Sequence, residues 1–142
     1  MSLACASSAP PTPDELLALA FEGADRIHAR TGGMCHREDQ PEVALFDLVG
    51  EQHVEALLPL LDVQTKLGGE CMCCGDRTIE LYRGRDYLTS VVIHHGKRLR
   101  WSGWQGGDGE LERGPDLCAW LIANGVAEGC EVKRPSEAPS AG

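Results

Sequence analysis

The chain lacks any apolar run approaching the roughly 20 residues that span a bilayer, so no segment reads as a membrane anchor. It also lacks a legible export signal. The opening MSLACASSAP puts Leu-Ala-Cys where a lipoprotein signal would end. Only four residues precede Cys5, with neither a basic segment nor an apolar core of the required ~7–15 residues. The expectation is an unexported, cytoplasmic protein.

Positive charge is scarce. Lys and Arg total 13 against 22 Asp and Glu, a net charge of −9. Such a surface repels phosphate backbones, which excludes general nucleic-acid binding. An acidic chain meets a basic partner or simply stays soluble, and solubility is the reading favoured here. Also missing are a glycine-rich phosphate loop, a recognisable oxyanion-hole segment and an orienting third residue beside any Cys/His pair. No internal repeat is present. The expectation is a non-enzymatic protein, with no catalytic residue assigned.

What is present suffices for one domain. At 142 residues the chain can bury a core without staples. Residues 12–126 are expected to form a single α+β domain, flanked by disordered tails at 1–11 and 127–142. The fold expected is an antiparallel sheet, a core hairpin plus a third strand, packed against two to three helices. Thr12-Pro13-Asp14-Glu15 reads as a capped helix start, with Glu15 completing a capping box. The apolar stripe from Leu16 to Ile27 predicts a helix over 13–30, although Gly23 weakens its middle. Residues 43–49, VALFDLV, form a short apolar run and a strand. Helices are predicted over 51–61, with Pro59 distorting the last turn, and over 116–124 behind Pro115. Residues 62–66 read as a further strand and 106–109 as a flexible loop.

The clearest element is a hairpin, 78–83 and 87–95, followed by a strand at 97–101. A three-residue loop at Gly84-Arg85-Asp86 places Arg83 opposite Tyr87, Leu81 opposite Thr89, Ile79 opposite Val91 and Arg77 opposite Ile93. This register puts Ile79, Leu81, Val91, Ile93 and His95 on one face, and Thr78, Glu80, Tyr82, Ser90 and His94 on the other. A two-residue loop, which would shift every pair by one, mixes polar and apolar residues and ranks second. Leu81, Val91, Ile93, Leu117 and Leu121 are expected to be buried.

Either register brings the stretch ECMCC to the same end of the hairpin as His94 and His95. Cys71 and Cys73, two apart on a strand, can point at one spot, with Cys74 or His94 in support. Thiolates with an imidazole suit soft ions, zinc first and Cu(I) second. Met72 offers a weak thioether, aimed away, and Cys35-His36 a further ligand. The competing reading makes Cys73 and His95 core residues. Seven cysteines are an odd number for a closed disulfide framework, and in a reducing compartment they are buried small hydrophobes, metal ligands or reactive thiols rather than disulfides. A second candidate surface is KRLRWSGW, where Lys97, Arg98, Arg100, Trp101 and Trp104 resemble the Arg/Trp composition of protein-binding hot spots. Here too a structural reading competes, with Leu99 and Trp101 facing the core. A protein partner suits this strand better than nucleic acid.

Overall fold

The computed structural model describes residues 10–32, 42–64, 67, 77–94, 97–104 and 107–126. Of the two tails, only Pro10 and Pro11 fall among them, and both are exposed.

The capping box at Thr12 forms as read. Its hydroxyl accepts the Glu15 amide at 3.1 Å, and the Glu15 carboxylate accepts the Thr12 amide at 3.0 Å. Helix α1 (Pro13–Phe21) then buries Leu17 and Phe21, one turn apart. It is much shorter than the helix expected over 13–30. Gly23 adopts φ 85°, a conformation that glycine alone takes without penalty, and the chain continues as strand β1 (Arg26–Thr31). Ile27 and Ala29 satisfy a period of two as well as the end of a helical stripe, and the turn at Gly23 makes the strand the outcome. Both side chains are fully buried.

Six strands form one sheet in the order β2-β1-β3-β4-β5-β6. The others are β2 (Ala44–Val49), β3 (Arg77–Arg83), β4 (Asp86–His94), β5 (Arg98–Trp101) and β6 (Gly109–Glu110). Every pairing is antiparallel. The expected set of hairpin plus third strand is therefore its centre, and the α+β class holds. Helix α2 (Glu51–Leu57) tightens into a 3-10 turn, Leu58–Leu61, because Pro59 has no amide to continue the α-helical ladder. Helix α3 (Gly114–Ala123) opens at Pro115.

Two local expectations change. The strand expected at 62–66 is reduced to a single bridge between Val63 and Leu111, with residues 65 and 66 outside the described residues. The expected loop at 106–109 ends in β6, whose Gly109 lies against Val63. A Cβ at Gly109 would come within 2.8 Å of that side chain, so the approach requires glycine.

Alternation in the strands produces the layering. Ile27, Ala29, Ile79, Leu81, Val91, Ile93 and Leu99 share one face and are at most 1% exposed. Leu17, Phe21, Val54, Leu57, Leu61, Leu117 and Leu121 from the helical segments join all of these but Ala29 in one apolar cluster. The five residues expected to be buried all belong to it. On the other face Arg26 makes a two-pronged pair with Asp47 at 2.9 and 2.7 Å. Its guanidinium lies 5.0 Å over the Tyr82 ring. The Tyr82 hydroxyl donates to Glu80 at 2.8 Å, and Arg30 holds the other Glu80 oxygen at 2.9 Å.

The hairpin combines features of both registers considered. Its turn has two residues, Gly84-Arg85, with Arg83 opposite Asp86 and Tyr82 opposite Tyr87. A bulge that leaves Leu88 as the extra residue then absorbs the shift, so Leu81 faces Thr89, Ile79 faces Val91 and Arg77 faces Ile93. Segregation of apolar from polar side chains sets the register in the body of the sheet. Gly84, at φ 62°, sets the turn, and its amide donates to Asp25 at 2.9 Å. The bulge reconciles the two demands.

Candidate functional site

Four strand ends meet at one edge of the sheet. Thr31 faces Arg77, Arg77 faces Ile93, and His94 faces Arg98. Neighbouring strands lie about 4.8 Å apart, so the end of β1 and the end of β4 are separated by roughly 10 Å. From this edge the chain leaves β1 toward Cys35-His36, enters β3 from Cys71-Cys74, and leaves β4 toward His95. Cys71, Cys73, Cys74 and His95, like Met72, Cys35 and His36, lie outside the described residues. Cys73 is four residues from Arg77, at most roughly 14 Å of extended chain.

His94 occupies the last position of β4 and is fully buried, on the face it was assigned from the register. Thr78, on the same face, is 1% exposed, and its hydroxyl donates to the Gly32 carbonyl at 3.0 Å. That bond ties the departure of β1 to the entry of β3. Among the described residues, no three His, Cys, Asp or Glu side chains are grouped as metal ligands.

Cys118 is the feature that sequence reasoning missed. It lies on the inward side of α3 and is 1% exposed, but its sulfur is in a disulfide rather than a thiol. The expectation of cysteines kept wholly as thiols therefore fails at Cys118. An odd cysteine count argues against a closed framework and says nothing against a single bridge, so the available signal was ambiguous.

The segment from Lys97 to Trp104 is largely engaged within the fold. Arg100 holds Asp108 through two bonds, at 2.8 and 3.1 Å, and Asp108 has no exposed surface. The Trp101 indole donates to the Thr89 hydroxyl at 2.8 Å, and its ring overlies Gly103, where a Cβ would clash with it. Trp104 is 7% exposed and donates to the Pro13 carbonyl at 3.0 Å, joining the end of β5 to the start of α1. The two indoles meet edge to face at 5.8 Å. Lys97 is exposed and Arg98 partly buried.

Two carboxylates on the charged face are held below their usual range. For Asp47 the dominant cause is the hydrogen bond from Arg26. Burial alone would push Glu80 up, and the bonds from Arg30 and Tyr82, with the nearby charges of Arg30 and His28, bring it below. These groups are paired and act as a structural network. Among the described residues, no helix is long and apolar enough to cross a membrane. The chain matches no protein-family model, no curated protein and no solved structure.

Proposed function

We propose that the protein binds a soft metal ion, zinc, through Cys71, Cys73 and His95, with Cys74 or His94 in support, in a non-enzymatic role. The observation that carries the reading is the pairing of Arg77 with Ile93. Because these two residues face one another, the chain entering β3 and the chain leaving β4 do so at one edge. Thiols and imidazoles within a few residues of that edge can then be gathered without rearranging the sheet. Soft sulfur donors with an imidazole select zinc over magnesium or calcium. Cys118, held in its disulfide, is not offered as a ligand.

A metal here would tie the segment entering at Cys71 to the hairpin end and so contribute to folding. Elemental analysis of protein purified without a histidine tag tests the proposal. Near-equimolar zinc, lost in Cys73→Ser and in His95→Ala, is the expected result. Substoichiometric metal unchanged by Cys73→Ser would leave these residues as ordinary parts of the fold. The alternative, a protein-interaction module acting through Lys97, Arg98, Arg100, Trp101 and Trp104, has less to support it. Arg100, Trp101 and Trp104 already bond within the domain.

A further inference from the structure

A cleft of about 310 Å³ opens between α1 and the 3-10 turn. Its floor is apolar: Leu17, Ala18, Leu58 and Leu61 line it, and Leu17 and Leu61 are 1% exposed. Its rim is acidic, carrying Asp14, Glu15 and Asp62. The two elements arrive there because the Asp14 carboxylate accepts the Val63 amide at 3.0 Å, tying the first turn of α1 to the chain leaving the 3-10 turn. Glu112 is drawn toward the same place by its amide, which donates to the Asp62 carbonyl at 3.0 Å.

Backbone amides serve two of these carboxylates, Val63 bonding Asp14 and Thr12 bonding Glu15, but no cation does. Among the described residues, none of Asp14, Glu15, Asp62 and Glu112 forms an ion pair. The Asp14 carboxyl is raised above its ordinary value, first by burial and then by the charges of Asp62 and Glu112, against the opposing bond from Val63. Two other carboxylates set into the fold do meet arginines: Asp108 meets Arg100 and Glu80 meets Arg30.

We propose that this cleft docks a lysine or arginine side chain presented by a basic protein partner. The methylene stem would lie on Leu17, Ala18, Leu58 and Leu61, and the cationic head would reach Asp14 and Asp62. A long basic side chain is the one common group that is apolar along its length and cationic at its tip. A cleft near 300 Å³ is at the small end for ligand sites, which suits one or two side chains better than a cofactor. A hydrated divalent ion would need oxygen donors where the floor offers hydrocarbon. The net charge of −9 favours a cationic partner at long range. This proposal is independent of the metal reading and uses none of its residues.

The test uses the full chain and two peptides, acetyl-tetra-arginine amide and its uncharged tetra-citrulline counterpart, followed by amide shifts in a ¹⁵N–¹H titration. The arginine peptide is expected to move Leu17, Ala18, Leu58 and Leu61, with the citrulline peptide at least about tenfold weaker, as loss of a charge-assisted pair implies. Asp14→Asn with Asp62→Asn should weaken arginine binding about tenfold. Glu51→Gln with Glu55→Gln, which removes the same charge from the exposed side of α2, should leave it within about twofold. Asparagine at 14 keeps an acceptor for the Val63 amide, and Asp62→Asn alone carries the test if the pair of changes unfolds the protein. Three results would overturn the proposal. They are shifts spread over acidic residues generally, equal binding of the citrulline peptide, and a dimer of this chain that competes for the cleft.

Discussion

The pair between Arg100 and Asp108 decides whether the Arg/Trp strand is architecture or binding surface. Asp108 is fully buried, the Arg100 side chain is 14% exposed, and two bonds of 2.8 and 3.1 Å join them. Removing one member of a buried pair leaves an uncompensated charge and costs about 3–5 kcal/mol. Asp108→Asn keeps the shape and one acceptor oxygen, so the lower end applies, about 3 kcal/mol or roughly 10 °C in thermal midpoint. Each residue makes a further interaction beyond this pair, so a cycle rather than a single variant isolates it. Urea unfolding of the wild type, Asp108→Asn, Arg100→Met and the double variant supplies the four free energies. A coupling of about 2 kcal/mol is expected. A cost below about 0.5 kcal/mol for Asp108→Asn, or strict additivity, would refute the reasoning and return Arg100 to the surface available to a partner.

Three further outcomes follow from the same geometry. Trp104→Phe removes an indole bond to Pro13 in a nearly buried position and should cost about 1–2 kcal/mol in unfolding free energy; an unchanged midpoint would show that the indole is not holding α1. Asp47 and Glu80 titrate below their ordinary values of 3.8 and 4.5, so the unfolded chain takes up more protons and stability falls as pH drops below about 4.5. Solvent screening limits the Glu80 share to about 1 kcal/mol or less, Asp14 opposes it with the contrary sign, and an acid limb in Glu80→Gln as steep as in the wild type would contradict this assignment. Alkylation of the denatured, unreduced protein should leave Cys118 unlabelled until a reductant is added, and labelling without reductant would disprove its disulfide.

Much of the sheet was legible because its two faces differ chemically. Ile79, Leu81, Val91 and Ile93 are uniformly apolar and alternate with the mixed set Thr78, Glu80, Ser90 and Val92, and gathering the apolar set on one face permits a single register. The bulge at Leu88 was not legible, since it reconciles a turn preference with a distant packing demand. Nor was β1: Ile27 and Ala29 fit a helical stripe until the turn at Gly23 and the pairings with β2 and β3 are known. Those pairings are non-local, and single-chain periodicity carries no record of them. In the candidate site, the pairing of Arg77 with Ile93 is the one read from the register, while Cys71, Cys73, Cys74 and His95 lie outside the described residues. The Cys118 bridge did not follow, because spacing does not encode which sulfurs meet. The inward role of Trp104 was hidden too, since its partner is a backbone carbonyl 91 residues earlier.

The metal reading is tested most directly by X-ray absorption at the zinc edge on tag-free protein. A sulfur shell at about 2.3 Å together with a nitrogen shell at about 2.0–2.1 Å is expected, with the sulfur contribution reduced in Cys73→Ser and the nitrogen contribution reduced in His95→Ala. An oxygen and nitrogen shell without sulfur, or protein that carries no zinc at the edge, would contradict it.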